Sequence, residues 1–151
     1  LHRPHYSKAM VEPVVTDRFE WSVRVYFEDT DAGGIVYYAN YLKYMERART
    51  EWLRAMGMDV EKMARDARIL FTVRSIRLDY IRPARLSDAL CASVALQHLG
   101  GASIELVQAV TRDREALCAG EVRLACVDAD SMRPRRIPVT VASAISSGSI
   151  N

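Results

Sequence analysis

The chain has 151 residues, half of them hydrophobic and 26% charged, which excludes a disordered chain and suits one globular domain with a single core. Twenty-one Lys and Arg stand against nineteen Asp and Glu, and a formal net charge of +2 is too near balance for nucleic-acid binding by bulk electrostatics. Three cysteines, Cys91, Cys118 and Cys126, lie in apolar surroundings without a C-x-x-C spacing and read as reduced thiols of a cytoplasmic protein. No apolar run approaches the roughly 20 residues of a transmembrane segment, and the first residues lack the apolar centre of a signal peptide.

Residues 1–18 read as a terminal arm, 19–138 as the folded domain and 139–151 as a C-terminal tail. The domain opens on FEWSVRVYFED, where Trp21, Val23, Val25 and Phe27 alternate with polar neighbours, the pattern of a strand with one buried face. The stretch DTDAGGIVYYAN follows, a bent loop with adjacent glycines that ends in Asn40, a good helix N-cap. From there Tyr41, Met45, Ala48, Trp52 and Ala55 recur every three or four residues, so a helix is expected from about Asn40 to Met56, closed by Gly57. MDVEKMARDAR suits one or two further turns.

The remainder reads as β. In LFTVRSIRLDYIRPAR the apolar phase switches between Val73 and Ile76, which predicts a bulge or a sharp twist, and Pro83 closes the strand. ALCASVALQHL and ASIELVQAVTR flank Gly100 and Gly101, a pair suited to a tight hairpin, and ALCAGEVRLACVDAD supplies the last strand. One helix beside runs of strands argues an α+β fold, with the last four strands in meander and the sheet curled around the helix. A sheet covering one helix leaves an open face, so pairing with a second copy is expected.

The densest polar cluster is Glu28, Asp29, Asp31, Gly33, Gly34, Tyr37, Tyr38 and Asn40, at the end of a strand and the start of a helix. Backbone N–H groups left unpaired there can cap one of these carboxylates or donate to a substrate's carbonyl oxygen. A carboxylate beside such donors is an arrangement for acyl transfer. Glu46, on the helix, is the runner-up carboxylate, although with Arg47 and Arg49 it also fits a charged helix edge. Arg74, Arg77, Arg82 and Arg85 along one strand and its turn, and Arg133, Arg135 and Arg136 near the end, are the basic groups.

From Phe19 to Pro138, through VRVYFEDTDAGGIVYYANYLKYMERARTEWL, TVRSIRLDYIRPARLSDAL and EVRLACVDADSMRPRRIP, the sequence resembles the 4-hydroxybenzoyl-CoA thioesterase branch of the hot-dog superfamily. Within it, the chain is similar to the YbgC-type acyl-CoA thioesterases associated with the Tol-Pal envelope system of Gram-negative bacteria. The resemblance implies a hot-dog fold, a five-stranded antiparallel sheet around a central helix, in a dimer with joined sheets and in a tetramer of two dimers. It implies hydrolysis of an acyl-CoA to free acid and CoA without metal or organic cofactor. Asp31 would be the catalytic carboxylate, as nucleophile or general base, and the Tyr38 backbone N–H would polarise the carbonyl. Gly33, Gly34, Asp29 and Glu46 would support them, and Arg74, Arg82 and Arg85 would meet CoA. Relatives often carry His where this chain has Tyr38, which offers no imidazole. The alternative implied role is binding of an acyl carrier protein or of envelope partners, with weak hydrolysis. Phosphate-binding loops and the serine-hydrolase elbow are absent from the sequence, and His98 has no second ligand at metal spacing.

Overall fold

The computed structural model of the protein describes residues 18–148; of the arm only Arg18 is included, and residues 149–151 also lie outside. Five strands form one antiparallel sheet: β1 (Phe19–Arg24), β2 (Ile69–Tyr80), β3 (Ala89–Leu99), β4 (Ser103–Arg112) and β5 (Glu115–Asp128). Their spatial order is β1-β3-β4-β5-β2. Only β3, β4 and β5 form a meander, which corrects the expected run of four: β2 pairs with β5 at the far edge. The cause is the intervening helical stretch, which carries the chain from β1 across to the far edge. Residues 81–88 bring it back, where Val25 N–H donates to Asp88 O and Ser87 N–H to Val25 O, both at 3.0 Å.

The central helix α1 spans Asn40–Ala55 and packs on β1, β3 and β4. Its buried residues, Tyr41, Tyr44, Met45, Ala48, Trp52 and Leu53, follow helical spacing and form the core with Val23, Val94, Leu106 and Val110. Gly57, at φ 86°, closes the end as expected. Asn40 is not the cap: it is the first helical residue, and its side-chain amide instead donates to the Asp29 carbonyl at 2.8 Å. One polar group joins helix to sheet. Gln108, fully buried, donates from Nε2 to Met45 O at 3.1 Å and Ser93 O at 3.2 Å, while its Oε1 accepts from Arg49 Nη1 at 3.0 Å.

A short helix α2 (Val60–Lys62), capped by Asp59, runs into a wider turn over Met63–Ala67 and supplies the expected extra turns. The β2 ladder shifts register between Val73 and Ser75, the bulge anticipated from the apolar phase, and Arg74 falls in the gap. Gly100 N–H donates to Ser103 O at 2.8 Å in the β3–β4 hairpin. Trp21 and Phe27 depart from the buried face assigned to them. Phe27 is 81% exposed, because β1 ends at Arg24 and a 3-10 turn over Phe27–Asp29 breaks the alternation. Residues set apart as a tail also differ: α3 (Val139–Ser147) buries Val141 and Ile145 in the core, so the packed region continues past Pro138.

Candidate functional site

The segment between β1 and α1 folds into a small hairpin. Asp31 N–H donates to Ile35 O at 2.8 Å, Tyr37 N–H donates to Asp29 O at 3.0 Å, and Thr30 pairs with Val36 between them. Gly34 N–H returns to Asp31 O at 3.0 Å to close the tip, where Gly34 takes φ 81°, a value glycine adopts without side-chain strain. The Asp31 carboxylate accepts the Gly33 N–H through Oδ1 at 2.8 Å. A Cβ on residue 33 would lie 3.3 Å from that oxygen, so a small residue leaves the carboxylate its place. The second Asp31 oxygen accepts no hydrogen bond among the described residues, and the residue is exposed.

The hairpin delivers the chain to the start of α1. Tyr38 lies two residues ahead of the first helical residue, and its N–H donates to no acceptor among the described residues. It lies just outside α1, next to the end that the helix dipole makes partly positive. The Tyr38 side chain is 60% exposed and its ring stands 4.7 Å from that of Tyr37 and 6.1 Å from that of Tyr80, centroid to centroid. Tyr80 Oη donates to Tyr38 O at 3.2 Å, tying the end of β2 to the same peptide.

Asp29 is engaged at every turn: Oδ2 accepts the Tyr26 N–H at 2.9 Å, and its carbonyl accepts from Tyr37 N–H and from Asn40. Behind it lies Tyr44, only 1% exposed, whose hydroxyl meets no partner at ordinary hydrogen-bonding geometry among the described residues. Burial, then the charge of the Asp29 carboxylate it approaches, pushes the Tyr44 phenol well above its usual range. A buried hydroxyl left unpaired costs about 1–3 kcal/mol, so its surroundings bear on the site. The polar end of Tyr44 has no signal in the apolar helical spacing of the sequence.

The other candidates separate by place. Glu46 lies exposed on α1, about 9 Å along the axis from Asn40 at the helical rise. Arg85 pairs through its backbone with Ile35, Val36 N–H donates to Ala84 O at 2.9 Å, and Ala84 N–H donates to the Tyr41 hydroxyl at 3.0 Å. The turn after β2 is thus fixed to the hairpin, bringing Arg85 beside it. Arg82 follows Tyr80 closely and forms an ion pair with Glu115 at 2.9 Å. Arg74 is not brought there: it sits six residues before Tyr80, about 20 Å along an extended strand. Among the described residues no group of three His, Cys, Asp or Glu side chains is placed to hold a metal ion, and no helix is long and apolar enough to cross a membrane.

Residues 25–145 match the family model of the thioesterase-like superfamily. Over 126 residues the chain is 39% identical to the acyl-CoA thioesterase YbgC of Haemophilus influenzae, covering 83% of this chain and 93% of that protein. It is equally 39% identical, over 127 residues, to the acyl-CoA thioester hydrolase YbgC of Escherichia coli O6:H1, covering 83% and 94%. A crystal structure of a probable thioesterase from Bartonella henselae superposes with a TM-score of 0.77 at 31% identity, covering 80% of this chain and 99% of that one.

Proposed function

The chain belongs to the thioesterase-like superfamily, has the hot-dog fold and is a thioester hydrolase, and from that premise we propose that it hydrolyses an acyl-CoA through Asp31 and the Tyr38 N–H. The observation that carries this reading is that one hairpin holds both groups: Asp31, a carboxylate with an oxygen left open, stands on one arm, and the other arm runs on to Tyr38, whose N–H has no acceptor among the described residues, ahead of a helix start. Relatives named as acyl-CoA thioesterases support the substrate class.

The chemistry asks little more. A thiol ionises near pKa ~8.5, so the thiolate departs without a proton donor, unlike the amine of an amide. What must be supplied is a donor for the carbonyl oxygen as it takes on charge and a carboxylate to deliver oxygen to the carbonyl carbon. As general base, Asp31 takes a proton from water as that water attacks, the C–S bond breaks and CoA leaves as thiolate. As nucleophile, Asp31 attacks the carbonyl carbon, the C–S bond breaks and CoA leaves as thiolate, and water then opens the resulting acyl anhydride to the free acid, returning the carboxylate. Both routes use the same two groups. The Tyr38 phenol is unnecessary to either, which fits a position where relatives often carry another side chain.

An acyl carrier protein presents the same thioester on a different handle, and the chain's alternative role is to bind such a carrier or an envelope partner with weak hydrolysis. A binding module has no use for an open carboxylate and a free N–H carried on one hairpin, so hydrolysis is the favoured reading. Release of free thiol from short, long and aromatic acyl-CoAs, and from acyl carrier protein thioesters, tests it. Turnover on at least one acyl-CoA is expected; hydrolysis of the carrier-bound thioesters alone, or of none, would overturn the proposal.

A further inference from the structure

The Tyr38 N–H sits in a peptide whose direction is set by a turn. Asn40 N–H donates to Tyr37 O at 2.8 Å, which makes Tyr38 and Ala39 the two central residues of a turn over residues 37–40. The Tyr37 carbonyl and the Tyr38 N–H belong to one planar trans peptide and therefore point in opposite directions. With the carbonyl turned in toward Asn40, the N–H is turned out, away from the interior of the turn.

Two side chains hold this turn from different elements. The buried Asn40 amide donates to Asp29 O at 2.8 Å, the same oxygen that accepts the Tyr37 N–H at 3.0 Å. One carbonyl on the first arm of the hairpin thus holds the first and the last residue of the turn together. On the β2 side, Tyr80 Oη donates to Tyr38 O at 3.2 Å and fixes the peptide that follows Tyr38. Tyr80 is itself well placed to do this. It ends β2 in register with Cys118, the next residue's N–H donates to Leu117 O at 2.7 Å, and its ring lies 5.5 Å from that of buried Tyr41, centroid to centroid. Three successive peptides are held in this way, while the Tyr38 N–H in the middle one keeps no acceptor among the described residues.

We propose that Asn40 and Tyr80 are positioning residues: together they clamp the Tyr37–Asn40 turn and hold the Tyr38 N–H in the direction in which it meets the thioester oxygen. This rests on the assignment of Asp31 and Tyr38 above. A donor fixed in advance needs no reorganisation as the carbonyl oxygen takes on charge. Loosening the clamp therefore weakens an interaction made in the transition state, which lowers kcat and leaves KM in place.

The test uses the full chain carrying Asn40→Ala or Tyr80→Phe, with Asp31→Asn alongside, on the acyl-CoA that wild type turns over best. Each variant removes a hydrogen bond and little volume, and melting temperatures show that it folds. Asn40→Ala should lower kcat about tenfold and Tyr80→Phe about fivefold, with KM within about twofold in both. A thioether analogue of the same acyl-CoA, which has no carbonyl oxygen, should bind both variants with Kd within about twofold of wild type, because the clamp serves only the donor to that oxygen. A kcat within about twofold of wild type in either folded variant would overturn the clamp, and so would a loss of thioether affinity as large as the loss of kcat, which marks a collapsed site instead of a misdirected donor. If Asn40→Ala does not fold, Tyr80→Phe, which keeps the ring, decides by the same two readings. Activity retained in Asp31→Asn would remove the Asp31 assignment beneath the proposal, and the kcat and thioether affinity of the other two variants would still decide the clamp.

Discussion

A side chain exposed to solvent and a backbone N–H without an acceptor meet in one residue, Tyr38, and only the second is assigned a chemical task. Tyr38→Phe should therefore keep kcat within about threefold, whereas Tyr38→Pro, which has no N–H, should lower it by about 10²–10³. Steady-state rates on one acyl-CoA, with melting temperatures to show that both variants fold, check this; equal losses in the two would move the role to the phenol. The residue scale was partly legible in the sequence. Asp31, Gly33 and Gly34 were singled out by the resemblance of the whole stretch, since Asp and Gly ahead of a helix are by themselves common turn and capping residues. The work of Asp29 and Asn40 was hidden, since it runs through a carbonyl oxygen and a side-chain amide that reach eleven residues across the hairpin. A residue's carbonyl leaves no mark in its one-letter code.

At the scale of elements, α1 was legible almost to the residue, because Tyr41, Met45, Ala48 and Trp52 repeat at helical spacing and Gly57 ends them. The bulge in β2 was likewise written in the apolar phase. Strand order was not, since the position of β2 depends on where α1 and the following turns release the chain, a consequence of packing rather than of local pattern. The helix α3 was missed for a different reason: VTVASAISS is rich in β-branched residues and serine, poor helix formers, and it holds its shape by burying Val141 and Ile145. Gly120 is the strictest position among these elements. It pairs with Leu78 and Gln108, and an added Cβ would fall 1.9 Å from the Arg77 carbonyl oxygen. Gly120→Ala should destabilise the fold by about 3 kcal/mol, since the strand backbones must part. Denaturant unfolding measures this, and a loss below about 0.5 kcal/mol would contradict the close approach.

For the whole molecule, one core is built between a single sheet and α1, while β1 and β2 both end the sheet. An edge as long as β2, twelve residues, is commonly covered or paired. Tyr26, Phe27, Tyr37, Tyr38 and Tyr80 are exposed around the candidate site. We propose that these features are covered in the dimer that the resemblance implies, and that a second copy completes the site there. Activity per chain should then fall on dilution in step with the sedimenting dimer, and a fully active monomer would overturn that expectation. The central claim, that the open oxygen of Asp31 does the chemistry, is met most directly by thiol release from one good acyl-CoA with wild type and Asp31→Asn side by side at equal concentration. A loss of about 10³-fold or more in kcat with an unchanged melting temperature is expected; turnover within about tenfold of wild type would contradict it.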